Sequence, residues 1–245
     1  IRQLRNLLKF INLCVSAEVG LVLFWFAYLY ETPLLAAVGK LLGCKTALIT
    51  GGIDAVYVPE IDWGKLKSAN QRAGFGWLMR LVDRVWPFSN SAKNLILQQY
   101  QPHSITTIYP AIDTDFFTPA QGQRMQRVVT CCYQYGAREI VQKGLDTFVE
   151  TARRLPNVEF VLIGNGVGEA AEAFIRQSPP NVTFMPRIPT RTDYRDFLQG
   201  CSVYAQLSVH EGFGVSLAEA MACGCVPVVT DRYSLPEVAG PHGFL

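Results

Sequence analysis

Charge is scarce in this sequence. Only 17% of its 245 residues are Asp, Glu, Lys or Arg, against about a quarter in an ordinary soluble protein. The 22 basic and 20 acidic residues nearly cancel, leaving +2 and no block of one sign. That argues against nucleic acid as a partner, because a general electrostatic grip on a phosphate backbone needs a basic face. Long apolar runs are missing as well. The most apolar stretch, Val19 to Tyr30, has twelve residues, whereas a membrane-spanning helix needs about 20. Rich in aromatic and branched residues, it reads instead as a fully buried strand. Cysteine is present in an odd number, seven, in a chain too long and apolar to need disulfide staples. Reduced, intracellular thiols are the expectation. The low-complexity, collagen-like and coiled-coil classes have no footing here. The first residue is Ile1 rather than Met, and Gly243-Phe244-Leu245 reads as a strand just begun. A piece of a longer protein, incomplete at both ends, is therefore expected, and the lack of a signal peptide carries no weight.

What is there is a grammar of alternation. Apolar residues make up 49% of the chain, enough for a packed core. In the second half, short apolar runs at Arg127–Tyr133, Val158–Gly164, Val182–Met185, Ser202–Leu207 and Cys225–Thr230 are separated by segments of helical period. Leu145, Phe148, Val149, Ala152 and Leu155 mark one such helix. Thr190 with Asp193 forms a capping-box pattern before another, and a third carries Val215, Leu217, Ala218 and Met221 and ends near Gly224. The first half repeats the pattern, with a helix over Leu34–Leu42 and a strand at Lys45–Thr50. A loop from Gly51 to Asn70 then leads to a helix at Ala73–Asp83, a strand at Arg84–Ser89, a helix opened by Ser91 and a strand at Ile105–Tyr109. The α/β class follows, with parallel sheets flanked by helices. The expected organisation is a partial Rossmann-like domain over 1–110, a linker over 111–124, and a second such domain over 125–245, truncated at its end. Near the start, Arg2, Arg5 and Lys9 share a short helix with Leu4, Leu7, Leu8 and Ile11, which leaves peripheral membrane contact as an expectation beside an ordinary surface helix.

Ligands in parallel α/β sheets bind beyond the carboxyl ends of the strands, so the strand-to-helix loops are where chemistry is sought. One such loop reads Ser208-Val-His-Glu211-Gly212-Phe213-Gly214, with Glu219 inside the following helix. Its glycines let backbone approach a ligand closely, and the helix start offers amide groups to an anion. Glu219 is placed to accept both hydroxyls of a ribose, and Glu211 to meet a second polar group further out. The loop after the first strand of that half carries Arg138 and Lys143, two cations suited to a diphosphate and to its departure as a leaving group.

Taken together these segments resemble the family-4 glycosyltransferases, which are retaining enzymes of the two-domain GT-B architecture. Glu211-Gly-Phe-Gly-Val-Ser-Leu-Ala-Glu219, followed by Ala-Met-Ala-Cys-Gly-Cys-Val-Pro-Val-Val-Thr-Asp, fits that family's E-x7-E signature and downstream strand. The Arg138-x4-Lys143-Gly segment is similar to its R-x4-K-G diphosphate grip. Val161-Leu-Ile-Gly-Asn-Gly166, Tyr109-Pro-Ala-Ile-Asp-Thr-Asp-Phe-Phe-Thr-Pro119 and Leu235-Pro-Glu237 occur as further landmarks in the right order. The resemblance implies two facing Rossmann-like domains and transfer of a sugar, with retention and without an essential metal or other cofactor, from a nucleotide-diphosphate sugar to a glycan or lipid-linked acceptor. It implies that Arg138 and Lys143 hold the diphosphate, that Glu219 binds the ribose and that Glu211 faces the transferred sugar. Gly212, Phe213 and Gly214 would line the diphosphate and sugar pocket. A cytoplasmic location, at the inner face of a membrane, is the usual case in that family. One departure is that Ala137 stands directly before Arg138, with Gly136 one place earlier, where the family often has Gly.

Other signals are weaker. Asp113-Thr-Asp115 matches a metal-binding D-x-D but sits between two prolines, where a cap or turn is expected. Gly164-Asn-Gly166-Val-Gly168 lacks the third glycine of a dinucleotide fingerprint, which argues against a nicotinamide-dependent oxidoreductase. Cys223-Gly-Cys225 reads as buried thiols, His210 as either a substrate contact or a packing residue, and the Asn181-Val-Thr183 sequon as fortuitous within a strand. A catalytically inactive nucleotide-sugar-binding relative remains the alternative to an active transferase.

Overall fold

The computed structural model describes residues 2–16, 19–28 and 31–245, and the chain divides into two compact units, Ile1–Tyr109 and Pro110–Leu245. In the first unit, helix α1 (Arg2–Ser16) precedes strand β1 (Leu21–Trp25), helix α2 (Glu31–Leu41) and strand β2 (Lys45–Thr50). A two-stranded hairpin of β3 (Tyr57–Val58) and β4 (Trp63–Gly64) occupies the expected loop. Helix α3 (Ala69–Leu81), strand β5 (Arg84–Pro87) and helix α4 (Asn90–Gln99) follow. The parallel sheet runs β1-β2-β5.

Three expectations are corrected here. Among the described residues the apolar run is not a fully buried strand: β1 ends the sheet order, and its Phe24 is buried while Leu21, Leu23 and Trp25 are half exposed. Alternate side chains of a strand leave opposite faces, so a strand covered on one face buries only every second one. Positions 29 and 30 of that run lie outside the described residues. Ser89 is not strand but the N-cap of α4, its hydroxyl accepting from the amide of Ala92, so the helix opens there and not at Ser91. The Ile105–Tyr109 strand reduces to one bridge between Ile105 and Val85.

The second unit holds the site. Strand β6 (Met125–Tyr135) leads through helices α5 (Ala137–Gln142) and α6 (Leu145–Arg154) to β7 (Glu159–Gly166). Helix α7 (Gly168–Gln177), β8 (Val182–Met185), α8 (Arg191–Gln199), β9 (Cys201–Gln206), α9 (Val215–Ala222), β10 (Val226–Val229) and α10 (Leu235–Ala239) complete it. The strands form one parallel sheet in the order β10-β9-β6-β7-β8. Helix α6 packs Leu145, Phe148, Val149 and Ala152 inward, with the Phe148 ring 5.1 Å from that of Phe160 on β7, whereas Leu155, its C-cap, and Val215 of α9 are exposed, contrary to the sequence expectation. Thr190 caps α8 by accepting from the Asp193 amide. Phe117 is 2% exposed in the core of this unit, so the segment after Pro110 is anchored there.

Sheet order decides where a ligand fits. The chain moves outward from β6 to β7 and β8, then returns to place β9 on the other side of β6. The loops after β6 and β9 therefore diverge, and a crevice opens between them at the carboxyl edge of the sheet.

Candidate functional site

A cavity of about 600 Å³ lies at this crevice, within the size range of small-molecule sites. Cys131 to Gln134 at the end of β6, Glu139, Lys143, Gly164, the segment Arg187–Arg191, Tyr194, Gln206, Glu211, Gly214 to Ser216 and Glu219 line it. Two glycines let its walls approach. Gly164, at φ 155°, lies where a Cβ would collide with the carbonyl of Cys132, at the register shift in the β6–β7 ladder. Gly144 adopts φ 61°, and a Cβ there would strike the carbonyl of Leu207. Only glycine allows the α5–α6 junction so close to the end of β9. The Val209 amide donates to the Gln142 carbonyl at 2.8 Å and locks the two loops together.

Lys143 and Glu211 meet across that junction. Lys143 is the C-cap of α5, followed by Gly144 as N-cap of α6. Its Nζ lies 2.6 Å from Glu211 Oε1, in a largely buried pair. The same oxygen accepts from Gln206 Nε2 at 2.9 Å and from Ser208 Oγ at 2.8 Å. The loop backbone is pinned from the α10 side, where Ser234 Oγ donates to the carbonyls of Glu211 and Phe213. Gly214, at φ 102°, is the N-cap of α9 and supplies no side-chain cap.

Glu219 projects from α9 into the cavity wall. Burial pushes its carboxyl above the ordinary range, opposed by the charge of Arg191. Among the described residues none donates a hydrogen bond to it, which leaves a half-buried carboxylate with acceptor capacity for a ligand. His210 is 3% exposed, and its ring meets that of Tyr233 at 4.4 Å. Burial lowers its pKa to about 4, and of the two roles open to it, packing is the one seen.

The cavity thus joins Lys143, Glu211, Gly214 and Glu219, while Arg138, Gly212 and Phe213 are not among the residues that line it. Arg138 is an exposed residue of the first turn of α5, bound through Nη2 to Glu139 Oε1 at 2.6 Å. Sequence reasoning does not find Gln206, Arg187 and Tyr194, because a strand end, a loop and an apolar helix face account for them without a ligand. The polar Gln206 closing the run Val203-Tyr-Ala-Gln206 is the one available signal. The competing motifs have structural roles. Asp113 caps a turn through the Phe116 amide. Asn181 donates to the carbonyls of Ala152, Leu155 and Val158. Cys223 and Cys225 are buried and free. Among the described residues no group of three or more His, Cys, Asp or Glu is placed to hold a metal, and no helix is long and apolar enough to cross a membrane.

The fold and the site define a class: an α/β protein with a ligand crevice at a topological switch point. Comparison narrows it. Residues 133–244 match the family model described as glycosyl transferases group 1. The chain is 28% identical over 166 residues to a subunit of the phosphatidylinositol N-acetylglucosaminyltransferase of Arabidopsis thaliana, covering 64% of this chain and 36% of that protein. It is 26% identical over 230 residues to a D-inositol 3-phosphate glycosyltransferase of Mycobacterium leprae, covering 88% and 50%. The chain therefore spans half or less of the length of these relatives. The Anabaena protein HepE, solved in complex with UDP, superposes with a TM-score of 0.79 at 17% identity over 98% of this chain and 67% of that one, a likeness of fold. Together these findings give the second unit a likeness to glycosyl transferases group 1 and the chain the fold of the HepE structure.

Proposed function

We propose that this chain contributes the donor site of a retaining, metal-independent glycosyltransferase of family 4, which moves a sugar from a nucleotide-diphosphate sugar to a glycan or lipid-linked acceptor. One observation carries the reading: Lys143, Glu211, Glu219 and the uncapped start of α9 surround a single cavity. Breaking a sugar–phosphate bond places negative charge on the diphosphate. A cation and a helix N-terminus in a half-buried crevice stabilise that charge as it develops. Lys143 is a cation already at the wall, which Arg187 and Arg191 also line; Arg138 reaches the diphosphate by exchanging Glu139 for it. Glu219 takes the ribose hydroxyls, and two donors from a diol satisfy its open acceptor sites. Glu211 accepts from hydroxyls of the transferred sugar, with Gly212, Phe213 and Gly214 forming the turn beside it. The acceptor attacks from the face the diphosphate leaves, and the departing phosphate oxygen takes its proton, so no protein nucleophile is required.

The lipid in the name of the Arabidopsis relative supports a lipid-linked acceptor, and work at the cytoplasmic face of a membrane is proposed with it. Helix α1 fits that setting: Leu8 and Val15 are 58% and 65% exposed, on a helix that also exposes Arg5 and Lys9. The test of the donor site is calorimetric titration of the chain with UDP, GDP, ADP and NAD in the presence of a chelator, beside Glu219→Ala. Binding of one nucleoside diphosphate, lost in the variant, supports the reading and names the base. Binding of NAD alone overturns it.

A further inference from the structure

Gln206 is a buried carboxamide at the end of a core strand, 3% exposed. Burying an amide there costs free energy unless its groups are paired. Its Nε2 donates to Ser208 Oγ and to Glu211 Oε1, each at 2.9 Å, and its own carbonyl oxygen lies 3.4 Å from Ser216 Oγ. Ser208, fully buried, donates to the same Glu211 oxygen, while its backbone carbonyl accepts from Thr230 Oγ1 at 2.7 Å. Glu211 Oε1 thus has three donors, one charged and two neutral, and among the described residues none binds Oε2.

The neutral donors matter because the charged one has a second use. Under the donor-site reading, a bound diphosphate competes with Glu211 for Lys143. A carboxylate held by the lysine alone would lose its anchor when the lysine turned to phosphate. Gln206 and Ser208 carry no charge, and their remaining partners hold them in place. We propose that Gln206, backed by Ser208, is a positioning residue for the donor sugar: it anchors Glu211 through Oε1, so that Oε2 remains presented to the sugar hydroxyls while Lys143 engages the diphosphate. This rests on the donor-site reading and adds to it a residue that the signature motif does not contain.

The test compares nucleoside diphosphates with their sugar conjugates by calorimetry on the whole chain. UDP is paired with UDP-glucose, GDP with GDP-mannose and ADP with ADP-glucose. Gln206→Met keeps the volume and removes both donors. It should weaken the nucleotide sugar about tenfold and at least about fivefold more than the matching diphosphate. In a Glu211→Gln background the same change should add nothing to that difference. Ser208→Ala, which removes one donor, should show a smaller split of the same sign and serves if Gln206→Met does not fold. Equal losses for diphosphate and conjugate, or effects that add to those of Glu211→Gln, overturn the positioning role alone. Failure of the unaltered chain to bind any of the six compounds overturns the donor-site reading and this inference with it.

Discussion

Lys143 Nζ stands 2.6 Å from Glu211 Oε1, although 68 residues separate them in the chain. The contact joins the α5–α6 junction to the loop that follows β9 and puts a cation and a carboxylate from distant segments on one wall of one cavity.

Lys143→Ala removes that cation, while Gln206 and Ser208 still satisfy Glu211. The expected result is a loss of about 100-fold in turnover in the complete enzyme, the scale for one preorganised stabiliser of a leaving group. Steady-state kinetics checks it, and unchanged turnover would refute the role given to Lys143.

Arg138→Ala should weaken nucleoside diphosphate binding less than Lys143→Ala does. Arg138 starts exposed and paired with Glu139 and must exchange one anion for another, a trade of small net value in water. Parallel calorimetry of the two variants measures the order; a larger loss for Arg138→Ala would show that α5 rearranges on binding.

Gly144→Ala introduces a methyl group against the Leu207 carbonyl at a left-handed backbone position. Strain and overpacking together predict destabilisation of about 2–4 kcal/mol, accompanied by loss of nucleotide binding because the junction carries Lys143. Denaturant unfolding and calorimetry together report both effects. A variant that retains full stability would contradict the close approach.

His210 predicts an acid-sensitive second unit. Its folded pKa of about 4 lies below the ordinary value of 6.5, so the unfolded chain binds the proton more tightly. Its contribution is complete above pH 6.5 and is lost as pH falls toward 4, up to about 3 kcal/mol. His210→Phe should flatten the stability profile across that window, read as unfolding midpoints at a series of pH values. A profile equally steep in the variant would assign the acid sensitivity elsewhere.

If α1 touches a membrane, charge and apolar exposure act together there. The chain should float with vesicles containing anionic lipid and not with neutral ones, and Arg5→Glu with Lys9→Glu should abolish flotation. Equal recovery with both vesicle types would remove the basic face from the account.

Local pattern is enough to determine much of this protein. Alternation of apolar runs and helical periods specifies parallel α/β units, and strands such as Lys45–Thr50 and Val182–Met185 lie where their residues predict, because periodicity is a property of neighbouring residues. The segments carrying Lys143, Glu211 and Glu219 are legible for the same reason: strand, turn and helix follow one another within a few residues. Burial of β1 is not legible locally, because it depends on the partners the strand finds. Gln206 is invisible as a site residue in the sequence, since its meaning lies in Glu211 and Ser208 folding back onto it. The position of Arg138 outside the cavity and the meeting of Lys143 with Glu211 are likewise decided by tertiary structure. Both depend on a sheet order that places β9 beside β6, and on glycine at 144 admitting a contact that no single segment encodes.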